Sequence, residues 1–352
     1  MSLFLTTTAL TFSLFVLAPF STNPSMLIQH PLVTQEQDCF HESYSEYDLW
    51  VEHTRQRFKQ AYHAETAVDK SLALFKSRYS KEKFDTYKKL TCRTFSYDVD
   101  GVPVQGYVIK PKHMPRSLPV VIFNRGGNGN FGGVRFLSMF KTLFPIAEQG
   151  FVIFGSQYRG TFSDKIDSKY GFQGYYAKQP QDEFGGKDIQ DVIRLIDYIP
   201  SIVGVDPKRI GLFGWSRGGM QSYLVLKQVE NIKAVVTVAG NSDLLAGLSQ
   251  RPDMERVYKK RIPNYQQNKT SELEKRSVIK WVDKLPTNVP ILLLHGSDDR
   301  RVDVSHSIIL ADKLKQHNLS HKLVVYDRDD HGLTHNKEQA NQEIVSWFKQ
   351  HL

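Results

Sequence analysis

Three kinds of residue able to carry out acyl transfer stand in one order along this chain: a serine between glycines, then a group of aspartates, then a histidine. Gly214-Trp215-Ser216-Arg217-Gly218 matches GxSxG. A serine hydroxyl becomes a useful nucleophile when a neighbouring base takes its proton, and a carboxylate must hold that base in the right tautomer. His331, in Asp327-Arg-Asp-Asp-His-Gly-Leu333, is the candidate base. Asp298, Asp299 and Asp303, which follow His295-Gly-Ser, compete for the role of acid. The pentapeptide alone is common by chance, and an ordinary strand-to-helix turn with an exposed serine is the competing reading. The later carboxylates and histidine, in the order Ser, Asp, His, favour the chemical one.

Such a triad needs a scaffold that brings distant segments to one edge. Ile210 to Phe213 is a short apolar run, as a buried strand should be, and Gln221 to Gln228 reads as helix. A nucleophile between them sits on a strained turn, so Gly214 and Gly218 fall where a Cβ would meet its neighbours. Arg93 to Tyr97 and Val102 to Ile109 flank Asp98-Val-Asp-Gly101, a hairpin signal. Apolar runs then alternate with helical stretches: Val120 to Phe123, Phe151 to Phe154, Ile210 to Phe213, Ala234 to Val238, Ile291 to Leu294 and Leu323 to Tyr326. This rhythm predicts an α/β fold, with a mainly parallel central sheet covered by helices on both faces and its chemistry at the carboxyl ends of the strands. Asp298, Asp299 and Asp303 follow one such strand. His331 follows the last, before a helix over Lys337 to Phe348. Residues 241–285 form a polar, helix-prone insertion where a lid would overhang the serine; a peripheral helical insertion is the alternative. Upstream, residues 40–90 carry helical periodicity, with Leu49, Trp50, Phe58, Leu72, Phe75 and Tyr79 recurring at spacings near three and four, so a helical extension precedes a main domain over 91–352.

At 352 residues, with 40% hydrophobic and 24% charged residues, the chain has the composition of a soluble globular protein. Its net charge of +9 raises the question of nucleic acid. The basic residues are scattered, however, and no nucleic-acid motif accompanies them, so a solvated basic surface is expected and no nucleic-acid partner. Neither a metal-ligand cluster nor a nucleotide-binding loop is visible, so no metal and no cofactor is expected. Leu3 to Phe20 is uncharged and apolar, which suggests an export signal within residues 1–25 and a periplasmic or secreted protein. An uncleaved anchor, making residues 3–20 the one point of membrane attachment, and initiation near Met26 are the alternatives. Cys39 and Cys92 pair in an oxidising compartment or stand as two free buried thiols. The oligomeric state is open at this stage.

The collinear motifs resemble the catalytic domain of the prolyl oligopeptidase family of serine peptidases, within the α/β-hydrolase superfamily, over about Ser96 to Leu352. They are the Asp-Gly hairpin, Tyr158-Arg-Gly160, Phe184-Gly-Gly-Lys-Asp188, Gly214-Trp-Ser-Arg-Gly-Gly219, His295-Gly with Asp299 four residues on and Val302 three later, and Asp330-His-Gly332. The resemblance implies an α/β-hydrolase fold and places the family's aspartate on Asp299, with Asp298 as the fallback. One departure concerns the residue before the glycine pair of Asn124-Arg125-Gly126-Gly127, where family peptidases place an aromatic residue or histidine. Arg125 stands there instead, either binding substrate or serving structure, while a backbone N–H near Gly126 offers a second oxyanion donor. Arg159 is divided in the same way between substrate contact and loop support. Family members that carry a β-propeller need about 40 residues per blade, and the roughly 90 upstream residues with a helical pattern do not fit one.

The chemistry these residues support is two-step acyl transfer at Ser216, with His331 as base, Asp299 orienting it and the Arg217 backbone N–H donating to the oxyanion. A peptidase acting on short peptides is the leading reading. A carboxylic ester hydrolase on the same triad is the alternative, and an inactive binding protein on a hydrolase scaffold is a minor one.

Overall fold

The computed structural model describes residues 26–113, 117–161 and 180–352. The apolar leader expected within residues 1–25 lies outside them. Nine strands form one sheet: β1 Val33–Asp38, β2 Leu90–Val99, β3 Val102–Pro111, β4 Leu118–Asn124, β5 Val152–Ser156, β6 Val205–Trp215, β7 Ile232–Val238, β8 Ile291–Gly296 and β9 His321–Tyr326. Their spatial order is β1-β2-β3-β5-β4-β6-β7-β8-β9. From β5 to β9 every pairing is parallel, and β1, β2 and β3 add antiparallel pairs at one edge. The Asp-Gly hairpin forms as expected: Asp100 and Gly101 have φ of +54° and +80°, and Val99 pairs with Val102. Positive φ at both central residues fits the twist of the flanking strands.

The strands are apolar on both faces because each divides its side chains between two cores. Val120 and Ile122 of β4 point into one, Val121 and Phe123 into the other, and β8 repeats this with Ile291 and Leu293 against Leu292 and Leu294. The first core takes in the helices Asp188–Asp197 and Arg217–Leu226, together with the 241–285 insertion. The second takes in the carboxyl-terminal helix Lys337–His351 and the amino-terminal helices Tyr47–Ala61, Glu65–Arg78 and Lys81–Tyr87. Trp50 joins this extension to the body: its ring lies 5.2 Å from that of Phe136 and 4.7 Å from that of Phe140. Strand β1 was not anticipated. Its sequence, Val-Thr-Gln-Glu-Gln-Asp, lies at the sheet edge and is mostly exposed, so it carries no apolar period to read.

Cys39 and Cys92 form a disulfide, with Cα atoms 5.3 Å apart, fastening the amino-terminal segment to β2. The insertion is fastened through His306. Its Nδ1 accepts from the N–H groups of Ser242 at 3.1 Å and Asp243 at 3.3 Å, while Ser242 Oγ donates to the His306 carbonyl at 2.7 Å. Leu244, Leu248, Tyr258, Leu273 and Trp281 then bury the insertion in the first core. Burial, reinforced by His295, pushes the His306 imidazole down to about 4.

Two measurements test these fastenings. The disulfide spans a sequence separation of 53, and the chain-entropy account gives a loss of about 4 kcal/mol when such a loop is opened. Cys39→Ser/Cys92→Ser should therefore unfold at markedly lower denaturant; an unchanged midpoint would show that the crosslink contributes nothing. For His306, the folded pKa lies below the ordinary 6.5, so the unfolded chain takes up the proton first and stability is lost as pH falls from 6.5 towards 4. Urea unfolding across that window should show a slope of up to about 1.4 kcal/mol per pH unit from this group, and His306→Gln should flatten it.

Candidate active site

Strand β6 lies between β4 and β7 and ends at Trp215, and the helix Arg217–Leu226 starts two residues later. Ser216 is the hinge, at φ +59° and ψ −123°, a conformation that an L-residue holds only when its surroundings enforce it. Its N–H donates to the Val238 carbonyl at 2.8 Å, and its carbonyl accepts from Gly219 N–H at 2.9 Å and Asn241 N–H at 3.2 Å. A Cβ on Gly214 would strike the Gly218 carbonyl, and one on Gly218 the Asn124 carbonyl. The helix begins at Arg217, four residues before the expected Gln221, because it follows directly from the turn.

His331 Nδ1 lies 2.7 Å from Asp299 Oδ2, so Nδ1 carries the donated proton and Nε2 keeps its lone pair. Asp299 Oδ1 also accepts from the N–H groups of Arg301 at 2.8 Å and Val302 at 3.1 Å. Burial opposes its charge, but hydrogen bonds from His295 and His331 overcome that and hold the carboxyl well below the usual range. Asp298 is exposed, and Asp303 accepts from Ser305 N–H at 2.9 Å. Of the three candidates, the structure thus pairs Asp299 with the histidine. The loop bearing His331 is tied to the nucleophile turn by Trp215, whose Nε1–H donates to the His331 carbonyl at 3.1 Å.

His295 stands in the His-Gly motif, but its role in the site was not legible from the sequence. This buried imidazole lies with Nε2 2.9 Å from the Val302 carbonyl and 3.2 Å from Asp299 Oδ2, while Nδ1 lies 2.7 Å from Ser307 Oγ. Two acceptors at Nε2 place its proton there, where it steadies Asp299. The available signal was its fixed place four residues before that carboxylate.

Gly126 and Arg217, the expected oxyanion donors, both border the cavity that Ser216 lines. A Cβ on Gly126 would be 3.1 Å from Ser216 Cβ, so the missing side chain lets this backbone approach the hydroxyl. The Arg217 N–H belongs to the first turn of its helix, which has no intrahelical acceptor. The expectation that the Arg125 guanidinium binds substrate is corrected. Arg125 is 1% exposed, and its N–H groups donate to the carbonyls of Gln157 at 2.6 and 2.8 Å, Gly126 at 2.9 Å and Gly129 at 2.9 Å, and to Thr161 Oγ1 at 2.8 Å. The tight loop turns several carbonyls inward, and one guanidinium satisfies them. Arg159 is likewise structural, bonded to both oxygens of Asp191, with the closest contact at 2.6 Å.

The Arg217 side chain was also not read from sequence. It pairs with Asp182 at 2.9 Å and Asp188 at 2.6 Å and donates to the Gly127 carbonyl at 2.9 Å. Burial disfavours its charge, but these two carboxylates outweigh that and raise its pKa above the ordinary value. Ser216, His331 and Gly126 all border one cavity of about 950 Å³, walled on one side by Leu244, Met254, Val257 and Tyr258 of the insertion. A carbonyl held there would share the cavity with Ser216 and with an imidazole oriented by Asp299, residue types that can carry out acyl transfer.

Several known proteins are similar to this chain. The uncharacterized peptidase YtmA of Bacillus subtilis strain 168 is 30% identical over 224 residues, covering 63% of this chain and 79% of that protein. The rat acylamino-acid-releasing enzyme is 25% identical over 263 residues, 70% of this chain and 34% of that enzyme. Among solved structures, Pyrococcus horikoshii acylaminoacyl peptidase superposes with a TM-score of 0.62 at 22% identity, covering 78% of this chain and 44% of that one. The chain therefore spans less than half the length of these two longer proteins, and the fold it shares with them is the expected α/β-hydrolase fold. Because the model of the prolyl oligopeptidase family matches residues 137–352, more than half of the sequence, the chain belongs to that family of serine peptidases.

Proposed function

We propose that this chain hydrolyses short peptides through an acyl-enzyme on Ser216. The observation that carries the reading is the strained Ser216 on its strand-to-helix turn, bordering the same cavity as His331, whose Nδ1 is held by Asp299 at 2.7 Å. In the first step His331 Nε2 takes the Ser216 proton as Oγ bonds to the substrate carbonyl carbon. The carbonyl π electrons move to oxygen, where the backbone N–H groups of Arg217 and the Gly126 segment stabilise the charge. Collapse breaks the C–N bond, and the departing amine takes its proton from His331. Water then attacks the ester by the same route and restores Ser216. Asp299 keeps the imidazole in the Nδ1–H tautomer and stabilises its protonated form. The insertion serves as the lid, fixed in the core rather than free-swinging, and limits substrate length.

We also place the protein in an exported compartment. The Cys39–Cys92 disulfide supports this, since such bonds persist where conditions are oxidising, as does the apolar stretch from Leu3 to Phe20.

Ser216→Ala should lose on the order of 10⁴- to 10⁶-fold in kcat on short peptides, and a fluorophosphonate probe should label the parent protein but not the variant. Undiminished hydrolysis by Ser216→Ala would end the assignment. Assayed side by side, N-blocked peptide amides should be turned over along with short-chain esters; turnover of esters alone would replace the peptidase reading with an esterase one. Residues 1–45 fused to alkaline phosphatase should give an active, exported reporter in a bacterial host, and a fusion retained in the cytoplasm would refute export.

A further inference from the structure

The cavity walls are unevenly charged. Lys141, Arg251, Arg300, Arg301 and Lys337 all border it, and none makes a side-chain ion pair among the described residues. Arg217 also borders it, but Asp182 and Asp188 already neutralise that guanidinium. Three carboxylates face the same space: Asp243, Asp298 and Asp330. Asp243 is turned onto the N–H groups of Leu245 and Ala246. Asp330 is turned onto those of Gly332 and Thr334 and onto the Thr334 hydroxyl. That leaves Asp298 as the one lining acid not bound to a backbone N–H of its own loop. The positive charges outnumber the carboxylates and are the less engaged of the two.

Lys337 is the most sharply placed of these cations. It begins the carboxyl-terminal helix, is half-buried, and holds its Nζ 3.8 Å from the centroid of the Trp215 ring. That ring adjoins Ser216 in the chain and is fixed by its own bond to the His331 carbonyl. Burial, with added repulsion from Lys141, pushes the Lys337 amine down to about 7. Lys337 and Lys141 border the same cavity and repel each other, and neither has a carboxylate partner among the described residues, an arrangement that a bound anion relieves.

We infer that the cavity selects substrates bearing a carboxylate, which Lys337 seats over Trp215 beside the nucleophile turn, with Lys141 as the second cation. The inference rests on the reading of Ser216 as an acyl-transfer nucleophile and adds the charge class of what it cleaves. The shared chemistry is a carboxylate, supplied either by the free carboxyl end of a short peptide or by a glutamate or aspartate side chain near the scissile bond. The indole supports the same ligand by giving the methylene groups next to the charge an apolar surface.

The test compares matched N-acetylated tripeptides that differ in one charge: a free carboxyl end against a carboxamide, and glutamate against glutamine on either side of the cleaved bond. At least one pair should favour the anionic member by roughly tenfold in kcat/KM, and added salt should shrink that preference. A response of the first pair alone assigns the seat to a terminal carboxylate, and a response of the second to an acidic side chain. Lys337→Met and Lys141→Met should each lower the ratio severalfold, with Lys337→Arg restoring much of it; circular dichroism checks that each variant is folded, and the salt dependence of the parent protein stands without any variant. Equal rates within every pair, a preference for the neutral members, or a ratio untouched by Lys337→Met would overturn the seat. Fluorophosphonate labelling separates the two levels: a protein that labels but shows no charge preference keeps its hydrolase chemistry and loses the anion seat, whereas one that neither labels nor hydrolyses any peptide loses both.

Discussion

A buried guanidinium holds together the three segments that meet behind Ser216. Arg217 reaches Asp182 on one side, Asp188 on the other and the Gly127 carbonyl in front, and its guanidinium carbon lies 4.6 Å from the ring centroid of Phe184. Asp188 also collects the N–H groups of Glu183, Gly185 and Gly186, and Asp182 accepts from that of Gly129. One cation therefore couples the nucleophile turn, the glycine loop and the segment that leads into the helix Asp188–Asp197. Removing one partner from such a buried pair typically costs about 3–5 kcal/mol, because a charge is left without water or counterion. That is a large share of the stability of a folded domain. The proposed oxyanion donors are backbone groups on these same segments, so their positions inherit the rigidity of this network.

Arg125 extends the same principle with neutral acceptors. Its guanidinium fills the space that the carbonyls of Gly126, Gly129 and Gln157 enclose, and its carbon sits 4.7 Å from the Tyr158 ring centroid. Arg125 and Arg217 therefore act as structural struts: both are buried, and their guanidinium groups are held by acceptors of the fold. Around the same cavity Lys141, Arg251, Arg300, Arg301 and Lys337 make no side-chain ion pair among the described residues. The protein uses one residue type in two ways, and what separates them is whether acceptors of the fold surround the head group.

The sheet explains why these parts can meet. Its parallel strands run between two cores, so the loops after β4, β6, β8 and β9 leave from one edge. They carry Gly126, Ser216, Asp299 and His331 respectively. The insertion after β7 adds a wall to the cavity above that edge, anchored by His306 at its start and by apolar burial along its length. The amino-terminal helices pack on the opposite face, against the aromatic cluster of Trp50, Phe136 and Phe140, and contribute rigidity there.

Much of this was legible in the chain itself. Strands β4 to β9 declare themselves through apolar runs, the hairpin through Asp100-Gly101, and the nucleophile turn through glycines whose missing Cβ atoms the backbone requires. The order of serine, aspartate and histidine follows from strand order, because a local motif stays attached to the strand end that bears it. Strand β1 was silent, since an exposed edge strand needs no apolar pattern. Direction and partnership were decided only in three dimensions. Asp299 faces His331 while its neighbour Asp298 faces solvent, a difference of one residue that the bend of the loop alone determines. Sequence could not say whether Arg125 points into the cavity or into its own loop, nor that Arg217 would find carboxylates 29 and 35 positions away. A side chain's type and spacing are fixed by the chain, but the acceptors around its head group come from segments that only folding brings together.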